Sequence, residues 1–461
     1  RPMGDGTNQM SRGGQGMLAA LFASARLQGI FSDRARLQAM LDVEAALARA
    51  EARVGVIPVG AVAPIVESCR VDLFDIPALA EAAALAGNPA IPLVQALTAR
   101  VAERDGGAMR FVHWGATSQD IMDSGLVLQL HATLDLIEGD LSGLSVLLAD
   151  LAQRHKATVI AGRTWMQQAM PTTFGVKVAG WLSANERHRQ RLAELRPRLL
   201  VLQFGGAVGT LASLGASGMA VAAALADDLG LALPDLPWHT ERDRLAELAS
   251  VFGLIVGSLG KIARDISLLM QTEIGELFEP AAPGRGGSSA MPHKRNPVGS
   301  AYVLATAIRV PGLVSTMLAA MVQEQERGLG SWHAEWETLP EICLLTGGAI
   351  EQVTTMIAGL EVDVGKMRAN LDVTRGLIFS AAVAMALAPF LGARPAHILV
   401  EDASHRAIAE RRHLKDILSG DASVRAHLSE ADLAKLFDPA NASGQAEALV
   451  DRVLAARQEK T

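Results

Sequence analysis

The chain of 461 residues is poor in aromatic residues, which make up 4% of it and include a single tyrosine. Alanine and leucine are abundant instead, and these residues favour helices over sheets. Cysteine is also scarce: Cys69 and Cys343 are far apart and outside any metal-ligand spacing. A disulfide framework is therefore not indicated, and a reducing cytoplasm is the simplest compartment.

Positive charge is not in excess, since the formal net charge is -7. This argues against a nucleic-acid-binding body, which would carry a clustered basic surface. The long uncharged stretch 199–226 contains five glycines, so we predict a buried loop that leads into a core helix rather than a membrane span. Residues 1–16 are polar and glycine-rich without a signal-peptide core, and we expect a disordered arm or a cloning remnant.

What the sequence does contain is helical periodicity. Ser32 is a predicted N-cap and Gly55 a predicted C-terminal stop, with an apolar stripe between them. Four longer segments carry apolar residues at helical spacing. They are 123–155, 245–278, 302–327 (interrupted at Pro311) and 341–367.

Helices of about 30 residues are long for a globular protein. They predict an all-α fold with an extended bundle whose helices also bury a face against other subunits. Composition shifts near residues 105–112 and 363–365. We place domain boundaries there, which gives an N-terminal helical domain (17–111), a central long-helix bundle (112–364) and a small C-terminal helical domain (365–461).

The most informative segment is 284–297, Gly-Arg-Gly-Gly-Ser-Ser-Ala-Met-Pro-His-Lys-Arg-Asn-Pro. Its glycines allow the backbone to move and to approach a ligand closely. The hydroxyls of Ser288 and Ser289 follow, and then the ammonium of Lys294 and the amide of Asn296. A loop that carries a proton donor next to a cation suits chemistry that creates a carbanion beside a carboxylate.

This segment resembles the signature of the fumarase/aspartase superfamily, Gly-Ser-Ser-x-Met-Pro-x-Lys-x-Asn-Pro, at every specified position. The segment 112–120, Val-His-Trp-Gly-Ala-Thr-Ser-Gln-Asp, is similar to that superfamily's first signature region. From spacing alone, its hydroxyls at a helix N-terminus suit either a bound carboxylate or ordinary capping. The segment 162–172 is similar to the superfamily's Gly-Arg-Thr-His-x-Gln-x-Ala-x-Pro-x-Thr region.

The chain departs from that last pattern at Trp165, where the superfamily usually has a histidine. Indole is a hydrogen-bond donor only and does no acid–base work. The bacterial 3-carboxy-cis,cis-muconate cycloisomerases also carry Trp there, and the chain resembles that branch from about Ile30 to Val453. The resemblance implies an intramolecular lyase of the protocatechuate branch of the β-ketoadipate pathway, without metal or organic cofactor, nucleic acid or membrane.

The resemblance also implies a fumarase/aspartase-like three-domain fold and a homotetramer whose helical core is shared and whose active sites each combine segments from three subunits. It implies that Ser288 or His113 delivers the proton and that Lys294 and Asn296 hold the aci-carboxylate or a neighbouring carboxylate. Ser289 serves either the substrate or the loop itself, and Arg327 is a candidate clamp for a third carboxylate. The remaining substrate-binding candidates are Thr117, Ser118, Gln119, Arg163, Thr164, Trp165, Gln167 and Met291.

Three other functions are consistent with parts of the sequence. One is a fumarate-releasing lyase of the same superfamily, such as an adenylosuccinate lyase-like enzyme, against which Trp165 argues. Another is a non-catalytic structural protein of the crystallin type, which Ser288, Lys294 and Asn296 disfavour. The third is a helical scaffold for partners, which leaves the Gly-Ser-Ser loop unexplained.

Overall fold

The computed structural model describes residues 17–282, 284, 286, 287, 291 and 293–458. The chain is 70% helical and 5% strand, so the predicted all-α class is confirmed. The α-helices of the described residues are α1 (Ala19–Phe22), α2 (Ala25–Ile30), α3 (Asp33–Val54), α4 (Val62–Ser68), α5 (Ile76–Ala86), α6 (Ala90–Arg104), α7 (Ser118–Arg154), α8 (Phe174–Leu199), α9 (Gly218–Leu229), α10 (Asp243–Leu269), α11 (Val298–Ala319), α12 (Ser331–Ala358), α13 (Val364–Asn370), α14 (Ser380–Leu391), α15 (Ala393–Ala409), α16 (Leu414–Ser419), α17 (Ala422–Arg425), α18 (Glu430–Leu436), α19 (Pro439–Ala442) and α20 (Ala446–Gln458).

Two short antiparallel ladders accompany the helices. Strand β1 (Val159–Thr164) pairs with β2 (Gln167–Thr173), and β3 (Leu277–Phe278) pairs with β4 (Glu361–Val362). Short 3-10 segments also occur at Val59–Ala61, Val71–Leu73, Ala108–Phe111, Ala212–Ser217 and Leu377–Phe379.

Helix α3 has the ends that the sequence predicts. The Ser32 side chain accepts a hydrogen bond from the backbone N–H of Ala35, and Gly55 adopts a left-handed conformation with φ 83°. A hydroxyl cap satisfies a backbone donor that the helix itself leaves free, and glycine takes a positive φ without a Cβ penalty. Both predicted ends of this helix are therefore confirmed.

The chain divides into two compact units. The first contains the residues up to Asp140 together with His188–Gly257 and Ala305–Glu351, and the second contains Leu141–Arg187, Ser258–Leu304 and the residues from Gln352 onward. The division falls within α7, α8, α10, α11 and α12. These two units do not test the predicted division into three domains, which stays a prediction.

In the first unit, α3 packs against α4 and α9. Its core includes Leu41, Leu93, Leu97 and Ile121, none of which has exposed surface. Burying a leucine or isoleucine side chain stabilises the folded state by about 1.5–3 kcal/mol. In addition, Arg49 of α3 holds the Asp228 carboxylate of α9 with two nitrogens, at 2.6 and 3.0 Å.

In the second unit, the β1–β2 hairpin packs against α13, and α14 packs against α15. The start of α11 is capped by the buried carboxylate of Glu279. That carboxylate accepts hydrogen bonds from the backbone N–H groups of Gly299 and Ser300 and from the Ser300 hydroxyl, at 2.7 to 2.9 Å. A charged acceptor on free N–H groups at a helix start is a strong cap.

All four predicted long helices have different bounds in the structure, and the one predicted as 123–155 runs from Ser118 to Arg154. The segment predicted as 245–278 leaves the helix at Leu269, because a turn closed by Gly275 at φ 59° redirects the chain into β3. Helix α11 ends at Ala319 and continues through Pro311, so the predicted interruption there is wrong. The segment predicted as 341–367 begins earlier, at Ser331, and ends at Ala358.

The uncharged stretch 199–226 is a loop that leads into α9, as predicted, and the loop residues 201–206 are buried. Two other helices, Asp243–Leu269 and Val298–Ala319, are long and apolar enough to cross a membrane when judged by length and composition alone. Core helices of globular proteins meet the same criterion, so these two carry little weight as membrane spans.

Candidate active site

The first predicted segment lies at the start of α7, where Asp120 is fully buried. Its carboxylate accepts hydrogen bonds from the backbone N–H groups of Thr117 (3.0 Å), Gly205 (3.0 Å) and Gly206 (2.9 Å). It also lies 2.7 Å from Nε2 of His239. One carboxylate therefore fixes the helix N-terminus to the loop before α9.

Thr117 and Ser118 are half-buried at this N-terminus. Among the residues that the structure describes, neither hydroxyl has a hydrogen-bond partner. A helix N-terminus carries partial positive charge and favours anions. The geometry is therefore compatible with the predicted role of Thr117 and Ser118 as ligands of a carboxylate.

Gln119 differs from its two neighbours because its side chain is buried and fully engaged. Its Nε2 donates to Asp123 (3.1 Å) and to the His239 carbonyl (2.8 Å), and its Oε1 accepts from Arg327 Nη1 (2.8 Å). Arg327 also donates to the carbonyl of Ala207, at 2.7 Å. In this conformation Gln119 holds Arg327, and the two predicted substrate ligands contact each other.

Beneath this pair lies a buried ionic cluster. Arg242 donates to the Asp123 carboxylate at 2.7 and 3.0 Å and to the Glu335 carboxylate at 2.6 and 3.0 Å. Gln323 donates to Glu335 as well, at 3.0 Å. All three charged side chains are 1–2% exposed. Arg242 therefore has a structural position, because its guanidinium is fully occupied inside the first unit.

His113 is held by a buried glutamate that the sequence analysis did not single out. Its Nδ1 lies 2.6 Å from Oε1 of Glu44, whose side chain is 1% exposed. Burial alone lowers the pKa of His113, but the charge and hydrogen bond of Glu44, together with the charge of Asp120, outweigh burial and raise it. The imidazole therefore keeps its proton to a higher pH than an ordinary histidine does.

The third predicted segment forms the β1–β2 hairpin, which the sequence did not reveal. Trp165 and Met166 form its two-residue turn, with φ values of 52° and 65°. Such a turn suits the twist of two antiparallel strands but is usually made by Asn or Gly. The Trp165 side chain is 95% exposed. A bulky residue in this conformation is an outlier of the kind that accumulates at functional sites.

Arg163, on β1, is held by the carboxylate of Glu276. Its guanidinium donates to both oxygens, at 2.7 and 3.0 Å, and Asn370 Nδ2 donates to the same carboxylate at 2.7 Å. Thr164 and Gln167 lie on the same hairpin and are exposed. The guanidinium of Arg163 is thus fixed and neutralised, whereas Thr164 and Gln167 flank an exposed turn made of Trp165 and Met166.

Within the signature segment, the predicted residues Ser288 and Ser289 lie outside the described residues. Lys294 and Asn296 line a cavity of about 220 Å³ that Gly286 and Gly287 also line. The backbone N–H of Asn296 donates to the Gly286 carbonyl at 2.8 Å, and a Cβ on Gly286 would come within 2.8 Å of the Asn296 carbonyl oxygen. Glycine is therefore required where the two ends of the loop meet.

Among the described residues, the Lys294 ammonium has no ion pair. Met291, a predicted substrate contact, is 44% exposed. No group of three or more His, Cys, Asp and Glu side chains in the described ranges is arranged to hold a metal ion.

The predicted site residues fall into two groups, one in each unit. The first unit contains His113, Thr117, Ser118, Gln119 and Arg327. The second contains Arg163, Thr164, Trp165, Gln167, Met291, Lys294 and Asn296. Their assignment to substrate stays a prediction.

Sequence reasoning missed the carboxylates that support these residues, above all Glu44 and Glu276. A signal for Glu44 was present, because Leu37, Leu41 and Glu44 follow one another at the spacing of a core-facing helical stripe. A charged residue on such a stripe needs a partner when buried. Glu276 lies in an irregular segment and carries no such signal.

Comparison with known proteins places this geometry in a family. The family described as "Lyase" matches residues 22–312, and "Adenylosuccinate lyase C-terminus" matches residues 376–453. The chain is 62% identical to a 3-carboxy-cis,cis-muconate cycloisomerase of Pseudomonas aeruginosa over 95% of both chains.

Solved structures agree with the sequence comparison. The 3-carboxy-cis,cis-muconate lactonizing enzyme from Pseudomonas putida is 56% identical, with a TM-score of 0.92 over 96% of this chain and 99% of that one. The β-carboxy-cis,cis-muconate cycloisomerase from Acinetobacter calcoaceticus is 45% identical, with a TM-score of 0.91 over 96% and 100% of the two chains.

The chain therefore belongs to the lyase family of the fumarase/aspartase superfamily. Within that family its similarity to the 3-carboxy-cis,cis-muconate cycloisomerases extends over nearly the whole chain. The family prediction from the signature segment is confirmed.

Proposed function

We propose that the protein is an isomerase, an intramolecular lyase that converts 3-carboxy-cis,cis-muconate to 4-carboxymuconolactone in the protocatechuate branch of the β-ketoadipate pathway. The observation that carries this function is the near-full-length identity to proteins of that name. The indole of Trp165 at an exposed hairpin tip supports it, because this group offers an apolar face and no proton carrier.

The reaction requires little more than positioning and charge stabilisation. One carboxylate oxygen of the substrate adds to a carbon–carbon double bond, and the displaced electron pair moves into a second carboxylate as an aci-carboxylate. A proton from the enzyme's proton donor then joins the carbon, so the tricarboxylate takes up one proton and becomes a lactone with two carboxylates. Nucleophile and acceptor belong to one molecule, so holding the diene in a reactive shape supplies much of the rate.

Lys294 and Asn296 are the proposed ligands of the aci-carboxylate. An ammonium without an ion pair among the described residues and an amide, both lining one cavity, suit an oxyanion. Thr117 and Ser118 are proposed to bind another carboxylate at the α7 N-terminus. Arg327 approaches that position through Gln119, so we propose that Gln119 orients Arg327, and that contact of Gln119 with substrate requires one of its present hydrogen bonds to be exchanged.

Two groups remain candidates for the proton donor, Ser288 and His113. The contact of His113 with Glu44 favours an imidazolium, which donates a proton or contacts an anion. Arg163, Thr164, Gln167 and Trp165 are proposed to line the substrate from the hairpin side, together with Ser289 and Met291.

We also propose a homotetramer in which each active site takes segments from three subunits. Helix α11 supports assembly, because only 22% of its most apolar 18-residue stretch is buried within the chain. Ile308 on this helix is 77% exposed. The exposed tip at Trp165 is likewise available to a second copy. The expected particle has four times the chain mass of 48.5 kDa.

The three-domain division, 17–111, 112–364 and 365–461, is proposed on similar grounds. The C-terminal family match at residues 376–453 lies within the third of these domains. We propose a cytoplasmic location, which suits the two buried free thiols of Cys69 and Cys343.

The test of function is an assay with four candidate substrates. Purified protein is mixed with 3-carboxy-cis,cis-muconate, adenylosuccinate, argininosuccinate or fumarate, and ultraviolet absorbance is followed. We expect the conjugated diene to disappear without release of fumarate. Release of fumarate from a succinyl substrate supports the adenylosuccinate lyase-like alternative, and inactivity on all four supports a structural protein.

The test of the site is Lys294→Met. Loss of one preorganised oxyanion ligand lowers turnover about 100-fold or more, while the tetramer survives in size-exclusion chromatography with light scattering. Lys435→Met on the exposed surface of α18 serves as the matched control. Near-normal turnover in Lys294→Met removes this lysine from the mechanism.

A further inference from the structure

A cavity of about 700 Å³ lies within the second unit, beside the β1–β2 hairpin. It is lined by Arg163 and Thr164 of β1, by Lys177 and Trp181 of α8, and by Lys261 of α10. Arg163 and Thr164 are proposed substrate residues, whereas Lys177 is part of no motif that the sequence analysis singled out. The cavity therefore connects the proposed site to a cation that has no assigned role.

The three cations that line this cavity differ in whether a carboxylate pairs with them. Arg163 is neutralised by both oxygens of Glu276. Lys261 is neutralised by Asp265, which also accepts a hydrogen bond from the Trp181 indole at 3.0 Å. In the part of the chain that the structure describes, Lys177 has neither an ion pair nor a hydrogen bond.

An unpaired ammonium that is largely removed from water is costly. Burial lowers the pKa of Lys177, and the nearby cations Lys261 and Arg163 lower it as well. Asp265 and Glu276 act in the opposite direction, but burial is the largest effect and the pKa of Lys177 stays lowered. An anion that enters the cavity would meet a positive charge that no side chain among the described residues pairs directly.

We infer that Lys177 is a carboxylate-binding residue and that it holds one carboxylate of the tricarboxylate substrate in the cavity lined by Arg163 and Thr164. This inference rests on the proposed function. Lys177 is the fourth residue of α8, which begins at Phe174. Its position is therefore set by the helix, and binding does not require a loop to reorganise.

The kinetic test compares Lys177→Gln and Lys177→Arg with Lys261→Gln. One charged hydrogen bond lost from the bound substrate raises KM for 3-carboxy-cis,cis-muconate about 10- to 100-fold in Lys177→Gln. We expect Lys177→Arg to retain part of the affinity and Lys261→Gln to leave KM near wild type, since Asp265 already neutralises Lys261. An equal rise of KM in the Lys177 and Lys261 variants contradicts a specific subsite.

A second measurement does not depend on turnover. The native protein is labelled with trace acetic anhydride across a pH series, and the extents at Lys177 and Lys261 are compared by mass spectrometry. We expect Lys177 to react at lower pH than Lys261. Saturating tricarballylate, a tricarboxylate without a diene, protects Lys177 and moves its reaction to higher pH, because an anion raises the pKa of a nearby ammonium.

The outcomes separate the two proposals. Protection by tricarballylate in a protein that does not convert the muconate refutes the proposed function and keeps the anion subsite. If Lys177→Gln converts the muconate normally with an unchanged KM, and tricarballylate does not protect Lys177, the subsite is refuted and the proposed function stands. Dissociation of Lys177→Gln into smaller particles with unchanged KM assigns the lysine to a subunit contact and also overturns the inference.

Discussion

Glu51 offers a sharp test of the energetics of the first unit. Its side chain is fully buried on α3, and neither carboxylate oxygen has a hydrogen-bond partner among the described residues. Burial, and secondarily the negative charge of Glu44, raise the pKa of Glu51 from 4.5 to about 9. The folded protein therefore keeps a proton at neutral pH that the unfolded chain releases.

The sign and size of the effect follow from linkage. Between pH 4.5 and about 9, the unfolded state binds fewer protons, so the free energy of unfolding falls as pH rises. The slope is about 1.4 kcal/mol per pH unit, and the accumulated cost at pH 7 is about 3 kcal/mol. Glu51→Gln removes the titrating group while it keeps the shape of the side chain.

We therefore expect Glu51→Gln to raise stability at pH 7 by about 3 kcal/mol and to change it little near pH 4.5, the unfolded pKa. Denaturant midpoints and Tm measured from pH 5 to pH 9 provide the comparison, with Glu81→Gln on the exposed face of α5 as control. If the wild-type and Glu51→Gln profiles run parallel over this range, the buried carboxyl is not protonated in the fold and the reasoning is refuted.

Two further predictions concern the same unit. Glu44→Gln lowers the pKa of His113. If the imidazolium is the active form, the alkaline limb of the pH profile of kcat/KM then moves to lower pH. An unchanged alkaline limb removes His113 as the proton donor. Gly348→Ala places a Cβ 1.8 Å from the Phe22 carbonyl oxygen and lowers Tm. Gly257→Ala in helix α10, where nothing lies within 4 Å, raises stability by about 0.5–1 kcal/mol. Equal Tm changes in the two glycine variants contradict the packing argument.

Local signals predicted the ends of α3 well, because caps depend on a few neighbouring residues. The ends of α10 and α12 were missed for the opposite reason. Apolar periodicity continues past Leu269, whereas the actual stop is a turn closed by Gly275 and fixed by pairing of β3 with β4. Such pairing joins residues far apart in sequence, so periodicity within one segment cannot reveal it.

The hairpin shows a second limit. Its turn residues, Trp165 and Met166, are poor choices for positive φ, and two-residue hairpins are recognised from sequence by Asn-Gly or Asp-Gly. The resemblance identified Trp165 as the distinctive residue of the segment, but only the structure shows that its side chain stands exposed at a strained turn. The sequence therefore predicted the chemical character of position 165 but not its conformation.

The distribution of charge explains how an acidic chain can serve a polyanionic substrate. In the first unit, Asp120, Asp123 and Glu335 are each matched by a buried cation or by backbone donors. In the second unit, Lys177 and Lys294 lack partners among the described residues. A net charge of -7 is therefore compatible with local positive charge where a tricarboxylate would bind. The salt dependence of KM distinguishes attraction of the substrate to surface charge from binding in the pocket. Surface attraction weakens strongly with ionic strength, whereas contacts in a desolvated pocket weaken much less.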